Sequence, residues 1–233
     1  MAIAFDASSN TASGTSPRTW SHTCTGSDRV LVVGTFGSTA DPTSVTYGGV
    51  ALTKYGTGIS VGDAYHLSMW YLLNPASGAN DIVVTAGANV GGIAMSYTGV
   101  LDAVDSYASG QSGATPIDGT TTVVDANCWL VMFVTDSGSN PAAGTGTTQR
   151  VSGTPGGAGG FDSNGTVSTG AQSLQATYTG GNNNSGFLIA SLSPTGGAVG
   201  PTNLKSLDTN VKANIKSYNG NLLANIKSIA GNA

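Results

Sequence analysis

Cys128-Trp129-Leu130-Val131-Met132-Phe133-Val134 is the most apolar run in the chain, and how it is read decides the fold. Seven apolar residues with no helix-length continuation suit a strand covered on both faces, so the run is expected at the centre of a sheet. Val30-Leu31-Val32-Val33 asks for the same environment. Around these runs the pattern changes to alternation. Trp20, His22 and Cys24 share one face of Arg18 to Cys24. Tyr65, Leu67, Met69 and Tyr71 alternate with His66, Ser68, Trp70 and Leu72, and Ile93, Met95 and Tyr97 alternate with Ala94, Ser96 and Thr98. A period of two marks a strand with one buried face.

Val45 to Leu52 reads as a hairpin closed on Gly48-Gly49, because two glycines supply the positive φ that a two-residue turn demands. Ile82 to Thr85, Thr120 to Val124, Leu174 to Tyr178 and Phe187 to Leu192 complete the strand set. Asp136 to Gly170 is expected to be a long surface loop, since Gly153, Gly156, Gly157, Gly159 and Gly160 offer nothing to pack. These elements predict an all-β chain: a jelly-roll-like antiparallel β-sandwich over residues 1–195, a linker over 196–201 and a repeat tail over 202–233.

Only 9% of the residues are charged, and all twelve acids are Asp. Asp favours turns and caps where Glu favours helix interiors, which agrees with a β-rich body. The tail, 201–233, holds Lys205, Lys212, Lys216 and Lys227 against Asp208, a net charge of +3. Residues 1–200 hold four cations against eleven Asp, a net charge of −7. An acidic body argues against nucleic acid as a partner. No 18-residue apolar run calls for a membrane, and Met1 to Asp6 has neither the basic nor the apolar segment of a secretory signal. Cys24 and Cys128 are too few for a disulfide framework and are expected as buried free thiols.

The tail writes one unit three times on an 11-residue step: Thr202-Asn-Leu-Lys-Ser-Leu207, Ala213-Asn-Ile-Lys-Ser-Tyr218 and Ala224-Asn-Ile-Lys-Ser-Ile229. Leu204, Leu207, Val211, Ile215, Tyr218, Leu222, Ile226 and Ile229 would line one stripe of a helix with a right-handed supercoil. Asn219-Gly220 and Ala230-Gly231 interrupt the units and favour short extended segments joined by turns instead. Either form exposes an apolar row that so short a segment cannot bury alone. The row, with Lys205, Lys216 and Lys227, is therefore the expected docking and oligomerising surface, with a homotrimer favoured.

No residue set reads as a convincing catalytic or metal centre, and a non-enzymatic protein without a cofactor is expected. His22 and His66 lie far apart in sequence without metal-ligand spacing. Gly58-Ile-Ser60-Val-Gly62 matches the hydrolase elbow, but a strand follows it and no histidine lies beyond His66, so it reads as a glycine-rich turn. Asp102 with Asp105 reads as turn chemistry, and Asp162-Ser-Asn-Gly165 as an Asx turn lacking the closing acid of a calcium loop. Trp20, Trp70 and Trp129 lie in strand-like runs and are expected in the core rather than as sugar platforms.

Ser44-Val-Thr-Tyr-Gly-Gly-Val-Ala-Leu-Thr53, the segment Trp70 to Thr85 and Ser96-Tyr-Thr-Gly-Val100 resemble a jelly-roll-type domain of tailed-bacteriophage structural proteins. The Ala-Asn-Ile-Lys-Ser repeats are similar to those ending phage fibre and decoration proteins; the first unit departs from them with Leu207-Asp208-Thr209. The resemblance implies a virion protein, assembled in the host cytoplasm, that decorates a capsid or forms part of a tail or fibre beside other virion proteins. The alternative is a carbohydrate-binding module or adhesin holding a surface glycan.

Overall fold

The structure, a computed structural model, describes residues 2–37, 40–62, 65–136, 140–154, 157–178, 185–194, 217–218 and 221–222. The chain divides into a compact unit, Met1–Gly197, and a second unit, Ala198–Ala233. Among the described residues no helix is long and apolar enough to cross a membrane.

The first half of the body runs through β1 (Ala4–Gly14), β2 (Arg18–Cys24), β3 (Val30–Gly37), β4 (Ser44–Tyr47), β5 (Val50–Ala51), β6 (Thr53–Lys54), β7 (Ile59–Val61), β8 (Tyr65–Leu73), β9 (Gly78–Thr85) and β10 (Val90–Thr98). These strands form two antiparallel sheets, β1-β10-β3-β8-β6 with β7 also on β8, and β2-β9-β4-β5. That order is the jelly-roll arrangement. The second half runs through β11 (Asp102–Ser112), β12 (Ile117–Val123), β13 (Trp129–Asp136), β14 (Ala142–Ala143), β15 (Thr148–Thr154), β16 (Ala158–Asp162), β17 (Gly170–Thr177) and β18 (Ser185–Ser193). Its sheets are β11-β18-β13-β16-β15 and β12-β17-β14. The order of the first half is thus repeated, with β11 standing for β1, β13 for β3 and β18 for β10, while β5 and β7 have no counterpart in the second half.

The expected antiparallel sandwich forms twice, and the two copies stack through their inner sheets into four layers. Alternation along the inner strands sorts side chains between neighbouring cores. Leu31 and Val33 meet Trp20, Val45, Tyr47 and Ile82 of the first outer sheet. Val30, Val32, Met69, Ile93 and Met95 face Trp129, Val131, Phe133 and Leu188 across the middle. Leu130, Met132 and Ile189 meet Ile117, Leu174 and Ala176 of the second outer sheet. β3 and β13 are consequently buried at every position, as their unbroken apolar runs require, while outer strands such as β12 alternate buried with exposed.

Local devices repeat with the topology. Pro17 and Pro116 precede β2 and β12, and Asp28 and Asn127, both at positive φ (48° and 63°), precede β3 and β13. Asp6 on β1 accepts the backbone N–H of Thr25 at 2.9 Å and the hydroxyl of Ser96 at 2.7 Å. Asp105 on β11 accepts the N–H of Val124 at 3.1 Å, that of Asp125 at 2.8 Å and the hydroxyl of Ser191. In each copy one carboxylate ties the first inner strand to the end of the strand that has crossed to the outer sheet. The Asp102–Asp105 pair is therefore structural, with Asp102 accepting the N–H of Val104 as a turn-former does.

The expectation of a surface loop over Asp136 to Gly170 is corrected. That stretch contains β14, β15 and β16, and β16 is buried along its length between β13 and β15. Its glycines serve close approach: a Cβ on Gly160 would lie 3.0 Å from Met95 Sδ and 3.1 Å from Ile93 Cγ2 of the facing sheet. β1 and β11, rich in Ser and Ala, are two further strands that the apolar pattern does not mark; they are half-buried edge strands without an apolar run.

At the centre of the stack Gly34 lies under the ring of Phe133, and a Cβ there would meet Phe133 Cγ at 2.5 Å. Gly34→Ala should lower stability by about 1–3 kcal/mol in urea unfolding through overpacking. Combined with Phe133→Leu, the loss should be smaller than the sum of the two single losses.

Candidate functional site

Of the residues nominated in the tail, Leu204, Lys205, Leu207, Val211, Ile215, Lys216, Ile226, Lys227 and Ile229 lie outside the described residues. Tyr218 and Leu222 belong to a short antiparallel ladder in which β19 (Ser217–Tyr218) pairs with β20 (Asn221–Leu222), Ser217 opposite Leu222 and Tyr218 opposite Asn221. The backbone flanking Asn219-Gly220 is extended at these positions.

Chemistry-bearing side chains converge at one end of the first copy. Ser60 on β7 and His66 on β8 are direct cross-strand partners. Ser60 Oγ lies 3.4 Å from His66 Nδ1, and His66 Nε2 lies 2.9 Å from Asp41 Oδ1 in the β3–β4 connection. With a carboxylate as its acceptor, Nε2 carries the proton, so the lone pair of Nδ1 faces the serine hydroxyl. Lys54 of β6 holds the other Asp41 oxygen. Burial pushes the Asp41 carboxyl up, but hydrogen bonds from Lys54 and His66 outweigh it and hold the group below its usual value. Gly58 makes the arrangement sterically feasible, because a Cβ there would sit 2.5 Å from His66 Nε2 and closer still to Asp41.

Within Gly58-Ile-Ser60-Val-Gly62 a strand follows the serine, as expected, and the pairing of β7 with β8 places His66 directly opposite Ser60. Asp41 had no sequence signal at all, since only the fold brings the β3–β4 connection to β8.

The remaining candidates are structural. Trp20, Trp70 and Trp129 are 9%, 8% and 8% exposed, and the indole N–H groups of Trp20 and Trp70 donate to Ser9 and Ser68. Asp162 makes the expected Asx turn, accepting the N–H of Asn164 at 3.0 Å. It is also fully buried, pairs with Arg150 Nε at 2.7 Å and accepts the Tyr97 hydroxyl at 3.0 Å. The Arg150 guanidinium covers the Phe5 ring at 4.2 Å, which pins edge strand β15 against β1. Cys24 and Cys128 are free and buried, and burial drives the Cys128 thiol up to about 12. Among the described residues no group of three His, Cys, Asp or Glu side chains could hold a metal ion.

On the outer sheet of the first copy, an open groove of about 480 Å³ is lined by Thr46, Gly48, Gly49, Asn80 and Asp81. No family model, curated protein or solved structure matches the chain.

His22, buried in the outer core, accepts or donates to Ser9 Oγ through Nδ1 at 2.8 Å, while Nε2 has no partner. Burial lowers its pKa from 6.5 to about 4, against a smaller opposing pull from Asp6. The unfolded chain therefore takes up a proton that the folded chain refuses. Stability should fall as pH drops from 6.5 towards 4, by about 3 kcal/mol at most, and urea titrations at successive pH values should show His22→Phe flattening that slope.

Proposed function

We propose that the chain is a structural component of a tailed-phage particle, decorating the capsid or forming part of a tail or fibre, and attached to other virion proteins through its C-terminal repeats. The observation that carries this reading is the division of apolar residues between body and tail. The body turns its large side chains into three internal cores, and its outer sheets present Thr, Ser, Asn and Asp to solvent. The repeats carry an apolar row and a net charge of +3 beside a body of −7, which suits a segment that seats on an acidic protein surface and on sister copies, threefold association being favoured. A thick, rigid body with a separate attachment segment is a design that needs no catalysis to serve a particle.

Removing residues 202–233 should leave a folded body with an unchanged melting temperature while abolishing self-association in light scattering and co-sedimentation with particles. A full-length chain that is a monodisperse monomer and never co-sediments would overturn the proposal. A second reading, a glycan-binding adhesin, is favoured by the groove of Thr46, Asn80 and Asp81, where the Thr46 and Asp81 side chains have no hydrogen-bond partner among the described residues. On that reading a glycan array should return a ligand whose binding Asp81→Ala weakens at least tenfold.

A further inference from the structure

We propose that Ser60, His66 and Asp41 form a nucleophilic site that hydrolyses short-chain carboxylic esters, an activity beyond the attachment role. Ser60 is the nucleophile, His66 Nδ1 its general base, and Asp41 the group that fixes the imidazole through Nε2–H. A hydroxyl and a base within reach, with the base oriented by a third group, is the arrangement that activates a serine. The 3.4 Å separation of Ser60 Oγ and His66 Nδ1 suits a resting site, since such contacts tighten when substrate binds.

Three observations set the cluster apart from ordinary surface polarity. The hydroxyl of Ser60 stands on an exposed residue, while its main chain is anchored by Gln111 Nε2 donating to Ser60 O at 2.7 Å. Asp41 is held from both sides, by Lys54 and by His66, so its carboxylate has one orientation. The duplicated scaffold also supplies an internal control. Asn140 occupies in the second copy the place of Asp41 in the first, each followed by a proline, Pro141 or Pro42. That copy builds the same sheet order without a carboxylate there, so packing does not require Asp41.

In the reaction Ser60 Oγ bonds to the ester carbonyl carbon as its proton passes to His66 Nδ1. The bond from that carbon to the alcohol oxygen then breaks, and the departing oxygen takes the proton from Nδ1, leaving an acyl-serine. Water adds to the acyl carbon while Nδ1 removes its proton, and the same proton returns to Ser60 Oγ as the carboxylic acid is released. Asp41 remains ionised throughout and stabilises the imidazolium formed in each half. Ser60 stands on an exposed strand rather than within a cavity, so the ester reaches it from solvent and its alcohol can be of any size.

The test uses the full chain, a fluorophosphonate probe read by intact-mass and peptide mapping, and hydrolysis of 4-nitrophenyl acetate. A single adduct on Ser60 is expected, absent in Ser60→Ala, which keeps the wild-type melting temperature because the residue is exposed. His66→Gln should slow both labelling and hydrolysis about a hundredfold, the scale of a positioned general base, and Asp41→Asn at least tenfold. An unlabelled Ser60, or equal labelling rates in the wild type and a folded His66→Gln, overturns the proposal. Should His66→Gln not fold, the wild-type peptide map decides alone: a label on Ser60 supports the site and a label elsewhere sinks it. Neither readout depends on residues 202–233, so it fails or succeeds separately from attachment.

Discussion

Everything in the body depends on two inner sheets having to be covered on both faces. A strand such as β13, buried at all eight of its positions, cannot sit in an ordinary two-layer sandwich with one wet side. The chain meets that demand by making the sandwich twice and pressing the copies together, so that each inner sheet serves two cores. Face-to-face sheets lie about 10 Å apart, and at that spacing a ring on one sheet needs a vacancy on the other. Phe133 finds it at Gly34 and Met95 finds it at Gly160. Large and small residues are complementary across the middle core, and this complementarity locks the two copies in one register.

Stacking by itself does not hold each copy closed. A strand that leaves the inner sheet for the outer one interrupts the ladder, and the N–H groups at that corner need acceptors. Asp6 and Asp105 provide them in the two copies, each also accepting a serine hydroxyl from the neighbouring inner strand. Burial pushes the Asp6 carboxyl up, but the hydrogen bonds from Thr25 and Ser96 outweigh it and keep the group below its usual value, so the tie is charge-assisted at neutral pH. The scarcity of charge in the composition is thus no sign of idle carboxylates.

How much could be read beforehand follows from which force dominates each segment. Strands driven by burial, such as β3, β8, β10, β13 and β18, announce themselves through continuous or alternating apolar residues. β1, β11 and β16 do not, because Ser9, Ser106 and Gly160 are placed by hydrogen bonding and close approach, which leave no period in hydropathy. The duplication was legible only as scattered marks: Pro17 with Pro116, Asp28 with Asn127, Pro42 with Pro141, each pair 99 positions apart. Apolar identity differs between the copies, as at Gly34 and Phe133, which stand 99 positions apart and pack against each other as opposites. The candidate site was half legible, as Ser60 and His66 lie six residues apart on one hairpin, while Asp41 arrives from another element.

A duplicated scaffold separates what folding requires from what it merely tolerates. Features present in both copies, the aspartate ties and the positive-φ residues before β3 and β13, are constraints of the architecture. Features present in one copy are free of that constraint, and the Asp41, Lys54, His66 and Ser60 cluster is of this kind. The outer sheets differ in the same way. Gln175 in the second copy is tied to Asp118 and to the N–H of Thr145, whereas Thr46 and Asp81 in the first are left to solvent. Both departures fall on the first copy, between residues 41 and 81.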